Sequence, residues 1–157
     1  MNQLLEKSEA FTMRRRNKIL VVDDNPVNLN ILEEMLSDEY RVAFAQNGPD
    51  ALRTAASFQP ACILLDVMMP GIDGLEICRQ IRATAGLRET VIIMVSAKAM
   101  PSEKSAGFSA GADDYIAKPF DEVELLEVLR RYSDAGFAQG DTNSFDDSDD
   151  EARVALG

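Results

Sequence analysis

The chain has 157 residues, 46% of them hydrophobic and 27% charged, with a net charge of −11. That is the composition of a folded domain with a core and some spare length. It contains no histidine, which excludes a Ser-His-Asp triad, a His-ligated zinc and a His general base. No apolar run approaches the roughly 18 residues needed to cross a bilayer. The first ten residues are polar, and Arg14-Arg15-Arg16 comes too late for a secretory signal. The expected location is therefore cytoplasmic, and Cys62 and Cys78 read as small buried apolar residues rather than a disulfide or a metal pair.

Charge is unevenly spread. Residues 1–18 carry +3, residues 19–133 carry −8 and residues 134–157 carry −6. An acidic core disfavours sequence-independent nucleic-acid binding. Residues 1–17 place Leu4, Leu5, Phe11 and Met13 among polar neighbours and read as an N-terminal arm or short helix. Its three arginines read as a solvated entry to the first strand.

From Lys18 the pattern becomes regular. Ile19 to Val22 is an aliphatic strand ending in Asp23-Asp24. Asn25-Pro26 starts a helix, with Pro where its missing N–H costs nothing. Leu29, Leu32, Met35 and Leu36 give that helix one apolar face. Arg41 to Ala45 is a second, weaker strand, and Gly48-Pro49-Asp50 opens a helix over Ala51 to Ser57. Ala61 to Leu65 is an uninterrupted apolar run with the length of a buried strand. It ends at Asp66, followed by a Pro/Gly loop. A third helix spans Leu75 to Ala85, with Ile77, Cys78 and Ile81 inward. Val91 to Val95 is a fourth buried strand ending in Ser96. A fourth helix spans Ser102 to Ala110, with Gly111 just past its end. A fifth strand, Asp113 to Ala117, ends at Lys118-Pro119. Asp121 caps a last helix, Glu122 to Tyr132, with Val123, Leu126 and Leu129 on one face. Residues 133–157 are rich in Gly, Ser and Asp and read as a disordered acidic tail.

Five strand–helix pairs with near-continuous apolar strands predict a parallel α/β sheet covered by helices on both faces. Asp23, Asp24, Asp66, Ser96 and Lys118 then fall at the ends of four strands, on one sheet edge, where open α/β sheets bind ligands. Singly, each has a plain explanation: loop solvation for the acids, an N-cap for Ser96, a surface cation for Lys118. Their coincidence on one edge is what points to a site. Three carboxylates in a partly buried site repel, and a divalent cation with a lysine relieves that repulsion. Hard oxygen ligands suit Mg²⁺. A metal beside a lysine and a hydroxyl suits phosphoryl transfer, and a carboxylate can be the nucleophile.

The segments ILVVDDNPVN, ILLDVMMPGIDG, IIMVSAK and GADDYIAKPF occur in order, and residues 18–132 resemble the receiver domain of two-component response regulators. The resemblance implies a doubly wound five-stranded sheet of flavodoxin-like order 2-1-3-4-5. It implies Asp66 as phosphoacceptor, and Asp23 and Asp24 as the acidic pair for Mg²⁺, with Asp24 the more direct ligand. Asp66 and the Met68 backbone carbonyl would complete the protein ligands. Ser96 and Tyr115 fill the hydroxyl and aromatic switch positions, and Lys118 pairs with the phosphate. The Lys118–Pro119 bond is expected to be cis. Met68 and Lys98 stand where the family tunes dephosphorylation.

Without histidine, the chain needs an external donor: a histidine kinase, a histidine phosphotransfer protein or a small acyl phosphate. The leading expectation is a stand-alone receiver, not an enzyme acting on an external substrate. It would control an unidentified partner protein through its fourth helix, fifth strand and fifth helix, as a monomer or a weak homodimer through that face. The main alternative is a receiver excised from a hybrid histidine kinase or a larger regulator. A dinucleotide-binding enzyme or P-loop would need glycines where Asp23 and Asp24 stand. A haloacid-dehalogenase-type phosphatase resembles D-x-D at that point, whereas these two acids are adjacent.

Overall fold

The computed structural model describes residues 17–134 except 70 and 72. The expected N-terminal arm and acidic tail lie almost wholly outside the described residues. Five strands are present: β1 (Lys18–Val22), β2 (Arg41–Ala45), β3 (Cys62–Asp66), β4 (Val91–Ser96) and β5 (Asp114–Ala117). They alternate with five helices: α1 (Pro26–Leu36), α2 (Gly48–Phe58), α3 (Gly74–Arg82), α4 (Pro101–Ala110) and α5 (Glu122–Asp134). All strand pairs are parallel, in the order β2-β1-β3-β4-β5.

The period of two along each strand divides the core into two halves. Ile19, Val21, Leu64, Ile93 and Ile116 face one side, packed with Leu29, Leu32 and Leu36 of α1 and Leu125 and Leu129 of α5. Leu20, Val22, Ile63, Leu65, Ile92 and Met94 face the other, against α2, α3 and the end of α4. Both faces of β3 are buried, which is why its sequence is an unbroken apolar run. Both cysteines are free and buried, one in each half of the core. Among the described residues, no helix is long and apolar enough to cross a membrane.

Local chemistry sets where the helices start and stop. The Asn25 side chain accepts a hydrogen bond from the Val27 N–H, with Pro26 in the first turn. Asn47 caps α2 through the Asp50 N–H, so that helix begins at Gly48 rather than Ala51. The third helix ends at Arg82 instead of reaching Ala85. Thr84 turns its hydroxyl back on the Gln80 carbonyl, and its N–H bonds Ile81, closing the last turn tightly. Val123 does not share the buried face of α5 but is 67% exposed; Leu125 and Val128 join Leu126 and Leu129 in the core. It stands in the first turn, before α5 settles onto the sheet.

At the N-terminal edge of the sheet, Arg82 forms a clasp. Its guanidinium donates to the carbonyls of Gly111, Arg88 and Thr90 and to Asp113 Oδ2. That same carboxylate oxygen accepts from the Ile92 N–H, which holds Asp113 outside β5. Gly111 makes the clasp feasible: its φ is +116°, and a Cβ there would lie 2.8 Å from Arg82 Cγ.

Candidate functional site

At the C-terminal edge, β1 and β3 lie side by side, with Val22 opposite Leu65, so the residues that follow them meet. Asp23 and Asp66 are 4% and 6% exposed, and Asp24 is exposed. One carboxylate oxygen from each of the three acids lies within 4.8 Å of the others. Lys118 follows β5 and places its Nζ 3.6 Å from Asp23 Oδ2 and 3.5 Å from Asp66 Oδ2. The cation is carried there by the chain: the Lys118 N–H bonds the Ser96 carbonyl at 2.9 Å, and the Lys118–Pro119 peptide is cis.

Each buried acid is held by backbone. Asp66 Oδ1 accepts from the Met68 N–H at 2.9 Å, an Asx turn that fixes the loop after β3. Asp23 Oδ1 accepts from the Asn25 N–H at 2.9 Å, and its Oδ2 from the Asn28 side chain at 3.2 Å. Burial pushes the Asp66 carboxyl above its ordinary value; the Met68 N–H and the Lys118 charge pull it back, and Asp23 adds to the rise. Three acids facing one lysine leave the cluster short of positive charge. Two like charges about 4 Å apart repel by about 4 kcal/mol at an effective dielectric near 20. The donors are all hard oxygens, the set that fits Mg²⁺.

Ser96, at the end of β4, is fully buried. Its hydroxyl accepts from the Lys98 N–H at 3.0 Å, while the Lys98 carbonyl accepts from the Tyr115 hydroxyl at 2.7 Å. The Lys98 backbone thus bridges Ser96 and Tyr115, although the Lys98 side chain is exposed. Met68 is half exposed beside the acidic cluster. A largely apolar cavity of about 520 Å³ opens beside the acids, between α1 and the loop of Pro119 and Phe120.

The Tyr115 ring is already half-buried against α4. It lies there because Gly107 has no side chain: a Cβ would fall 2.9 Å from Met94 Sδ and 3.1 Å from the Tyr115 ring. Gly107→Ala is expected to cost about 1–2 kcal/mol through overpacking, outweighing an alanine helix preference of up to about 1 kcal/mol. Urea unfolding of the variant checks this.

Sequence reasoning missed Asn28, Gly107 and the Lys98 bridge. Only Asn28 left a signal: it lies in the first turn of the helix that Asn25-Pro26 opens, within reach of Asp23.

A five-stranded parallel sheet with acids, a hydroxyl and a lysine on its C-terminal edge defines a CheY-like phosphoreceiver architecture. The chain matches the response regulator receiver domain over residues 19–130 and belongs to that family. It is similar to the response regulator MprA of Mycolicibacterium vanbaalenii, with 46% identity over 114 residues that cover 72% of this chain and 48% of that protein. The chain therefore spans about half the length of the curated relatives it matches. Among solved structures it resembles the receiver domain of the sensor histidine kinase PA1611 from Pseudomonas aeruginosa, whose active site cleft coordinates a magnesium ion. That match has a TM-score of 0.70 and 38% identity, and covers 75% of this chain and 98% of that one. The chemotaxis protein CheY4 of Vibrio cholerae matches with a TM-score of 0.70 and 32% identity, covering 73% of this chain and 96% of that one.

Proposed function

We propose that Asp66 accepts a phosphoryl group from an external phosphohistidine and that the modified domain is the signal. The cluster of Asp23, Asp24 and Asp66, with Lys118 paired to Asp23 and Asp66, carries this reading. An Asp66 oxygen attacks phosphorus, the P–N bond breaks with its electron pair returning to the imidazole, and an acyl phosphate forms. The Met68 N–H holds Oδ1, which leaves Oδ2, on the Lys118 side, as the attacking atom. Lys118 then neutralises charge on the transferred phosphoryl oxygens. Mg²⁺, which Asp23, Asp24, Asp66 and the Met68 carbonyl would hold, would supply further charge neutralisation when bound. The magnesium of the PA1611 receiver supports that choice. The native protein should gain one phosphoryl group from a small acyl phosphate with Mg²⁺ and none with a chelator, as read by intact mass. Equal uptake with chelator would overturn the metal requirement.

The Lys98 bridge supplies the route outward. When the Ser96 hydroxyl turns toward the phosphoryl oxygens, the Lys98 N–H loses its acceptor, and the carbonyl that holds Tyr115 moves with it. Tyr115 belongs to β5, so the change reaches the surface of α4, β5 and α5. Met100, Phe108 and Val123 are exposed on those helices or next to them, as contacts for a partner protein or a second copy. Phosphorylation shifts this surface only as far as it favours one arrangement.

Met68 has no group to hold an attacking water, which favours a long-lived phosphate. Met68→Asn should shorten its lifetime about fivefold, the rate equivalent of one hydrogen bond of about 1 kcal/mol. The decay of phosphorylated mass measures it.

We read the domain as a cytoplasmic terminal acceptor, whose phosphorylated surface acts on a partner protein. A second reading is a phosphorelay module of a sensor histidine kinase or larger regulator, and the likeness to the PA1611 receiver favours it. Rapid transfer from Asp66 onward to a histidine phosphotransfer protein would select the second; transfer only from donor to Asp66 would select the first.

A further inference from the structure

We propose that Asn28 is a positioning residue for the acidic cluster: its amide holds Asp23 in the orientation in which the three carboxylates face one cation. The inference rests on reading that cluster as a Mg²⁺ site.

Asp23 is almost fully buried, and its orientation must be fixed by hydrogen bonds. The Asn25 N–H grips only Oδ1, which leaves the carboxylate free to rock about that contact. A second anchor is needed on Oδ2. Among the described residues, two groups reach that oxygen, the Asn28 amide at 3.2 Å and Lys118 Nζ at 3.6 Å. Lys118 cannot be a permanent anchor, because it is shared with Asp66 at 3.5 Å and is the cation placed to follow the phosphoryl oxygens.

Asn28 is better suited. It sits in the first turn of α1, and that helix is pinned to the sheet by Leu29, Leu32 and Leu36. Its donor therefore comes from a rigid element. It is also neutral. An Arg or Lys at this place would hold Asp23 equally well but would oppose a divalent cation a few ångström away. When Lys118 leaves Asp23 for the phosphoryl group, the Asn28 amide keeps Oδ2 satisfied, so the move does not strand a buried carboxylate oxygen.

The test is Mg²⁺ binding by calorimetry to the full chain and to Asn28→Leu, which keeps the size and removes the donor. Asn28→Ala serves if the leucine variant does not fold. The Mg²⁺ dissociation constant should rise about tenfold, the scale found when a hydrogen-bond partner of a metal ligand is removed. The half-saturating Mg²⁺ for phosphoryl uptake should rise by the same factor, with the rate at saturating Mg²⁺ within about twofold of native. A dissociation constant within twofold of native overturns the inference, whatever happens to the melting temperature. If the native protein itself binds no Mg²⁺, the metal-site reading fails first and takes the inference with it.

Discussion

Asp66→Asn is expected to take up no phosphoryl group from acyl phosphate and Mg²⁺, under conditions where the native chain gains one. The substitution keeps the size of the side chain and an oxygen to accept the Met68 N–H, so the loop after β3 stays in place. What it removes is the carboxylate Oδ2 beside Lys118, the proposed nucleophile. Unchanged uptake in the variant would move the acceptor elsewhere.

The same substitution has a stability signature with a definite sign. Burial raises the Asp66 carboxyl above its ordinary value in the folded protein. The native state therefore holds that proton more tightly than the unfolded chain. Its favourable contribution is full below the ordinary carboxylate value and is lost as pH rises through the raised native one. The amide of the variant cannot ionise and escapes the loss. Without Mg²⁺, the stability of Asp66→Asn relative to native should rise with pH across that window and then level off. Urea midpoints at several pH values read it directly, and a relative stability that falls with rising pH would contradict the assignment.

The second large effect lies at the opposite edge of the sheet. Arg82→Ala should lose about 3 kcal/mol, because it strips donors from three carbonyls and leaves the Asp113 carboxylate without its cation. Arg82→Lys should recover little. One ammonium cannot reach acceptors spread over Arg88, Thr90, Gly111 and Asp113 as a planar fork does. Phosphoryl uptake at a temperature where the variant is folded should be near native, since the clasp is at the other end of the strands. Urea denaturation and intact mass together separate the two effects.

The contrast between these edges explains what the sequence made legible. Asp23, Asp66, Ser96 and Lys118 were readable because each interrupts or follows a buried strand, where a polar residue is conspicuous. Parallel strands then bring those ends together without any knowledge of side-chain contacts. The strand order came from the resemblance, since nothing in the periodicity distinguishes 2-1-3-4-5 from other parallel arrangements. The Arg82 clasp was invisible because its partners at Gly111 and Asp113 are 29 and 31 residues away. The tie from Tyr115 to Lys98 spans 17 residues and uses a backbone carbonyl, which no residue type announces. Val123 was misplaced because helical spacing alone does not say where the first turn of α5 leaves the sheet. Gly107 carries no signal in the sequence, because the ring it accommodates comes from Tyr115 of β5.

In the proposed reaction, one carboxylate of the three becomes the acyl phosphate. Borohydride reduces an aspartyl phosphate to homoserine, and peptide mass spectrometry then locates the reduced residue. After phosphorylation with Mg²⁺ and acyl phosphate, homoserine should appear at position 66 and at neither 23 nor 24. Homoserine at 23 or 24, or a borohydride-resistant phosphate on Ser96, would contradict the account.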